Sequence, residues 1–261
     1  MACITSPSGI AALRKQAHEA VADSIPPGVW RANGGALETL LEALARHPAQ
    51  HHEVWRLTPT ACPASWRLRF LGDYGALMEA VTDSVTRTLT LVAQLGPQMG
   101  NAGVYGARFL ILINLLGELG YSIGDDRLKG EPAHAHALLY ADALRRADLG
   151  TPMSSRAPGI LPVPGAECDY AQHVAWLVVF EQIFLRRLAH FAVQVAAAAG
   201  IDTENGYFTL GFTVADAADA HCLLRQCMTG RLADLEMFMQ RCLDQWLIWL
   251  DDLAAEAVHR E

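Results

Sequence analysis

The chain has almost no run of Val, Ile and Thr with a period of two, the pattern of a half-buried strand. Ala, Leu, Arg, Glu and Gln recur throughout, so the expected class is all-α. Lys and Arg never run beyond a pair (Arg14-Lys15, Arg145-Arg146, Arg186-Arg187), and the formal net charge is −8. A nucleic-acid groove needs clustered cations, so no nucleic-acid partner is expected. The six cysteines (Cys3, Cys62, Cys168, Cys222, Cys227, Cys242) form no C-x-x-C pair, which leaves neither a zinc ribbon nor a redox dithiol. Residues 1–20 carry Arg14, Lys15 and Glu19 inside a helical pattern rather than a secretory leader, so a reducing cytoplasm with free thiols is expected. Uninterrupted apolar spans are also missing. Glu118 breaks the stretch Phe109–Ile123, and Glu181, Arg186, Arg187 and His190 break Val174–Ala199. Both read as buried helices of a soluble bundle, with no membrane partner.

What is present is apolar surface in helical register. Of the 261 residues, 52% are hydrophobic, enough for a sizeable core. Eight helices are predicted, over about 7–24, 34–46, 63–95, 102–121, 133–147, 170–199, 205–229 and 231–258. The third carries Trp66, Phe70, Leu77 and Val81 as core. The last has a stripe of Leu232, Leu235, Met239, Cys242, Leu243, Trp246, Trp249, Leu250 and Leu253. Pro48, Gly96-Pro97, the Gly124-Asp125-Asp126 turn and a Pro/Gly/Ser-rich segment at 151–167 punctuate the helices. The connections are mostly short and no repeat stands out, so residues 1–261 are expected to form a single domain.

The residues that carry chemistry are acids and histidines inside apolar helices. Glu118 sits within Ile111–Leu119, where Asn114 and Gly117 are the only other non-apolar residues, and Glu181 sits within Val174–Leu185. A carboxylate taken out of water is neutralised, paired with a cation or bound to a metal. Metals in helical bundles are held by Glu and His from several helices. His136 on the fifth helix and Asp216, Asp219 and His221 on the seventh are the further candidates. Oxygen and imidazole donors together suit iron or manganese. Simpler readings stand beside this one. Arg108, Arg186 or Arg187 can pair with either glutamate, Asp216 and Asp219 can lie on a solvated face, and the Trp246/Trp249 stripe can be core or an oligomer face.

Several segments in chain order resemble the heme-oxygenase-like superfamily of helical bundles. His47-Pro48 with His51-His52-Glu53-Val54-Trp55 is similar to the family's opening segment. Asn114-Leu-Leu-Gly-Glu118-Leu-Gly120 resembles its Glu-x-Gly helix end. His136-Ala-Leu-Leu-Tyr140 before Leu149-Gly150 resembles its His-bearing helix, and Val179-Phe-Glu181 its Ala-Leu-Glu element. Gly200, Tyr207-Phe208 and an Asp-bearing helix resemble the last ligand segment. The similarity runs from about His47 to about Met228.

That superfamily includes non-heme diiron oxidases and oxygenases, together with the TenA and PqqC enzymes. The resemblance implies Glu118, His136, Glu181 and Asp216 as iron ligands, completed by Asp219 or His221. It implies O₂ and a small-molecule substrate, in natural-product chemistry. The family's last segment carries His, Asp and His; with Asp216 as the Asp, Phe212 and Asp219 stand at the two His positions. Asp83, with Thr86 close by, is the nearest match to the family's first carboxylate. A metal-free enzyme using His136 or Glu181 for acid–base work, and a non-catalytic binding protein, are the alternatives. A homodimer through the Trp-rich last helix is a further expectation.

Overall fold

A computed structural model describes residues 7–123, 128–149, 161–204, 206–209 and 214–258. The Gly124-Asp125-Asp126 turn, most of the segment 151–167 and Phe212 lie outside these residues. The first helix is α1 (Pro7–Ala22), followed by α2 (Pro27–Arg46). Pro26-Pro27 both ends one and starts the other, because proline is accommodated in a first helical turn, where its missing N–H costs nothing. α2 therefore begins earlier than the apolar pattern suggests. A short α3 (Pro48–His51) and two 3₁₀ turns lead into α4 (Ala64–Leu91).

After the 3₁₀ turn Val92–Leu95, Gly96-Pro97 opens α5 (Gly96–Glu118) instead of closing a loop. The break is at Gly100, whose φ of 64° only glycine adopts readily. A two-stranded antiparallel pairing, β1 (Tyr121–Ile123) and β2 (Leu128–Gly130), follows α5; the helical pattern of the sequence does not predict it. It extends the turn between α5 and α6 (His136–Arg146) without changing the all-α class.

α7 (Tyr170–Ile183) starts with a capping box in which Asp169 and Gln172 satisfy each other's backbone N–H groups. It continues through a π-helical turn, Phe184–Leu188, into α8 (Ala189–Ala198). α9 (Val214–Cys227) and α10 (Leu232–Val258) complete the bundle.

One hydrophobic cluster draws on α1, α2, α4 to α10 and the intervening turns. Trp66, Phe70, Leu77 and Val81 are buried as expected, and so is the α10 stripe apart from Leu232, which is 42% exposed. Trp246 and Trp249 are fully buried. They pack edge-to-face on each other, and Trp249 Nε1 donates to the buried Asp73 carboxylate at 3.0 Å. The two tryptophans are thus core residues, and the dimer expectation loses the surface on which it rested.

Two glycines set the approach of α1 to α5. A Cβ at Gly106 would lie 2.8 Å from the Ala17 carbonyl oxygen, and one at Gly103 2.8 Å from Ser24 Cβ. The run Ala64–Glu118 contains an 18-residue stretch with mean hydropathy 1.3, long and apolar enough to cross a membrane, of which 39% is buried. Core helices of soluble bundles meet the same measure.

Candidate functional site

α5 delivers Glu118 at its last turn and α6 delivers His136 at its first, with the hairpin joining them. The carboxylate Oε2 and the ring Nδ1 are 3.0 Å apart, and both side chains are about one-fifth exposed, at 21% and 19%. Among the described residues none of the three arginines expected as partners pairs with Glu118. Arg108 stacks on Tyr105, Arg187 donates to the Gln50 carbonyl, and Arg186 is exposed.

Three tyrosines back this pair. The Tyr74 and Tyr207 hydroxyls are 3.1 Å apart, and Tyr140 donates to the Leu71 carbonyl at 2.6 Å. The Tyr140 and Tyr207 rings meet at 5.1 Å, and Tyr207 sits edge-on to the His136 ring at 6.2 Å. Burial first pushes both the Tyr74 and the Tyr207 phenols well above their ordinary range; the hydrogen bond with Tyr207 partly offsets the rise at Tyr74, repulsion from Tyr74 adds to that at Tyr207, and the Glu118 carboxylate adds to the upward push on both. Tyr140 is raised chiefly by burial as well. All three therefore remain neutral hydroxyls. Tyr140 and Tyr207 belong to the motifs of the resemblance, but their convergence with Tyr74 of α4 is a tertiary fact with no local signal.

The other expected residues are placed elsewhere. Asp219 is only 1% exposed, so it does not lie on a solvated face. His18 Nε2 is 2.7 Å from its Oδ1 and Arg14 Nε 3.2 Å from its Oδ2, so an imidazole and a guanidinium of α1 engage it. Arg14 also donates to Asn114, one turn before Glu118 on α5, at 3.1 Å. His221 lines a groove between α2 and α9, where burial lowers its pKa. Glu181 is half-buried on α7. Asp216 lies on α9, and its side chain is outside the described set.

Asp83 is exposed, as is Thr86, so neither supplies a buried first carboxylate. The buried acid of α4 is Asp73, which its apolar neighbours Leu71 and Tyr74 would have flagged by the argument applied to Glu118. The opening histidines are structural. His47 Nδ1 accepts from the Ala49 N–H, His52 Nδ1 accepts from the Val54 N–H, and their Nε2 atoms face Asp244 and Asp251 of α10.

An iron centre of the kind implied by the resemblance needs several oxygen and nitrogen donors around one point. Among the described residues no three His, Cys, Asp or Glu side chains gather in this way. Glu118 and His136 meet, whereas Asp219 is taken up by Arg14 and His18. The described residues therefore do not fit the full ligand set. Compared with known protein families, with curated proteins and with solved structures, the chain matches none.

Proposed function

We propose that the chain is an enzyme acting on a small molecule, on a bundle of heme-oxygenase-like architecture, with the Glu118–His136 pair as its acid–base centre. The observation that carries this reading is the 3.0 Å contact between a carboxylate and an imidazole from two different helices, beside three buried hydroxyls. A carboxylate that accepts from Nδ1–H fixes the tautomer and leaves the lone pair on Nε2. In that state Nε2 takes a proton from the substrate, and the resulting imidazolium is held against Glu118 as an ion pair. Returning that proton to another substrate atom closes the cycle and restores the neutral ring. The one-fifth exposure of the two side chains admits a small substrate while the neutral tyrosines keep their side of the centre from acquiring charge.

A second reading is iron-dependent oxidation of the small molecule with O₂. It is favoured by the chemistry of the same pair, one oxygen and one nitrogen donor from positions that the resemblance makes ligands. The two readings separate in one experiment. Metal-stripped protein is titrated anaerobically with Fe(II), exposed to O₂ under an optical probe, and its histidine ¹⁵N spectrum recorded. The acid–base reading expects no iron bound at micromolar concentration and an Nδ1–H tautomer for His136 that Glu118→Gln disturbs. One or two irons per chain, lowered well below one by Glu118→Ala, would overturn it in favour of the oxidase. An Nε2–H tautomer for His136 in the wild-type chain would remove the dyad altogether.

A further inference from the structure

The groove between α2 and α9 has a volume of about 350 Å³. α9 presents Ala218, His221, Cys222 and Arg225 to it, one helical face by their spacing of three and four. α2 answers with Trp30, Leu37 and Leu41, likewise on one face, which gives the groove an apolar floor.

Arg225 is the unusual member. Its guanidinium lies over the Trp30 ring, 4.1 Å from the centroid, and its Nε donates to the Trp30 carbonyl at 2.7 Å. Gly34 makes this possible, since a Cβ there would fall 2.6 Å from the guanidinium carbon. The arginine is thus held in one orientation by a stack, a hydrogen bond and a missing side chain. Yet it has no acidic partner among the described residues. Glu38 on the rim is exposed and makes no ion pair with it, and Asp219 is engaged by Arg14 and His18.

A second polar group is also incomplete. His221 lines the groove, and its Nε2 is buried without a hydrogen-bond partner, the kind of atom that a ligand or water completes. Cys222 is not a candidate nucleophile, because burial pushes its thiol up to about 12.

We infer that this groove is a binding site for a small organic carboxylate with a flat apolar body. The carboxylate meets the outward edge of the Arg225 guanidinium and the His221 Nε2–H, and the apolar body lies along Trp30, Leu37 and Leu41. A pre-oriented guanidinium suits a planar carboxylate, because two parallel N–H groups match its two oxygens and little side-chain freedom is lost on binding. The volume lies in the range of small-molecule sites. The site does not include Glu118 or His136 and does not depend on what they do.

The test is calorimetry on the full chain with phenylacetate, the neutral isostere phenylacetamide and inorganic phosphate, supported by shift mapping of the Trp30 indole. Phenylacetate is expected to bind, with phenylacetamide at least roughly tenfold weaker because the charge-assisted hydrogen bonds are lost. Arg225→Gln should weaken phenylacetate by roughly tenfold or more. Ala218→Trp, at an exposed position, should block the groove with the fold intact by circular dichroism. Gly34→Ala should also weaken binding, by displacing the guanidinium. Equal binding of acid and amide, phosphate binding tighter than phenylacetate, or undiminished binding in both Arg225→Gln and Ala218→Trp would overturn the proposal.

Discussion

His173 shows how one buried side chain couples this fold to pH. It is 1% exposed, with Nδ1 3.0 Å from the Ser84 hydroxyl. Burial first, and then the nearby Arg87, lower its pKa below the usual value. In the unfolded chain it takes up a proton near pH 6.5, whereas the folded chain resists. Between those two values the unfolded state binds more protons, so stability rises with pH. The melting temperature should therefore fall as pH drops from 7 to 5, and His173→Asn should flatten that dependence in a series of thermal melts. Asp219 makes the complementary case. Removing one partner of a buried ion pair leaves the other uncompensated, so Asp219→Ala should cost about 3–5 kcal/mol in denaturant unfolding, discounted for the partial exposure of Arg14 and His18. Loss below about 1 kcal/mol would mean that the pair is solvent-screened. Sequence patterning finds such residues as types but not as partners. Asp219 is visible as an acid on an apolar helix, while Arg14 lies some two hundred positions earlier and only α1 packing against α9 brings them together.

At the scale of elements, most helices follow from apolar period and capping chemistry, and their ends do not. α10 and the core of α4 agree with the sequence pattern because their apolar stripes are long, even though the buried face of α4 also carries Asp73, Ser84 and Thr88. The start of α2 and the opening of α5 depart from it for one shared reason: Pro27 and Pro97 sit in first turns, where the same residue that stops one helix is compatible with beginning the next. The hairpin between α5 and α6 is too short to show a period of two. The α1–α5 contact makes its own prediction. Gly106→Ala places a methyl group against the rigid backbone oxygen of Ala17, so the helices must separate. The expected cost is about 1–3 kcal/mol. By contrast, a Cβ at Gly117 meets nothing within 4 Å. Gly117→Ala should therefore raise stability slightly, by about 0.5–1 kcal/mol, and the two melts read side by side check that the effect is packing rather than glycine loss alone.

For the whole molecule, the all-α class and the two polar residues of the Glu118–His136 contact are legible in the sequence, while their meeting is not. Glu118 and His136 are eighteen positions apart and meet because a hairpin folds the chain back, whereas Asp219 and His221 belong to other neighbourhoods of the bundle. A list of ligand-type residues in the right order is thus weaker than their distances. The same lesson applies to assembly. Trp246 and Trp249 are part of the core, so Trp246→Ala should cost about 3–5 kcal/mol of folding stability through the cavity it leaves. Size-exclusion profiles of the folded variant should show no change of oligomeric state. A dimer that dissociates on this change alone would contradict the burial of both rings.

The wide turn Phe184–Leu188 has a consequence for the length of the chain itself. Each residue of a regular helix turns the next by about 100°, and the π turn accommodates one residue beyond that count without ending the helix. The segment works as a crankshaft with two throws. Before it, Val178, Val179 and Ile183 are set into the core; after it, Phe191, Ala192, Val195 and Ala196 are set into the core at a different phase. Deleting a single residue between 184 and 188 would straighten the helix and rotate the second throw out of the bundle. Inserting one into the regular turns on either side would do the same in the opposite sense. This helix can therefore change exposed side chains such as Arg186 and His190 at little cost, but it cannot change its length by one.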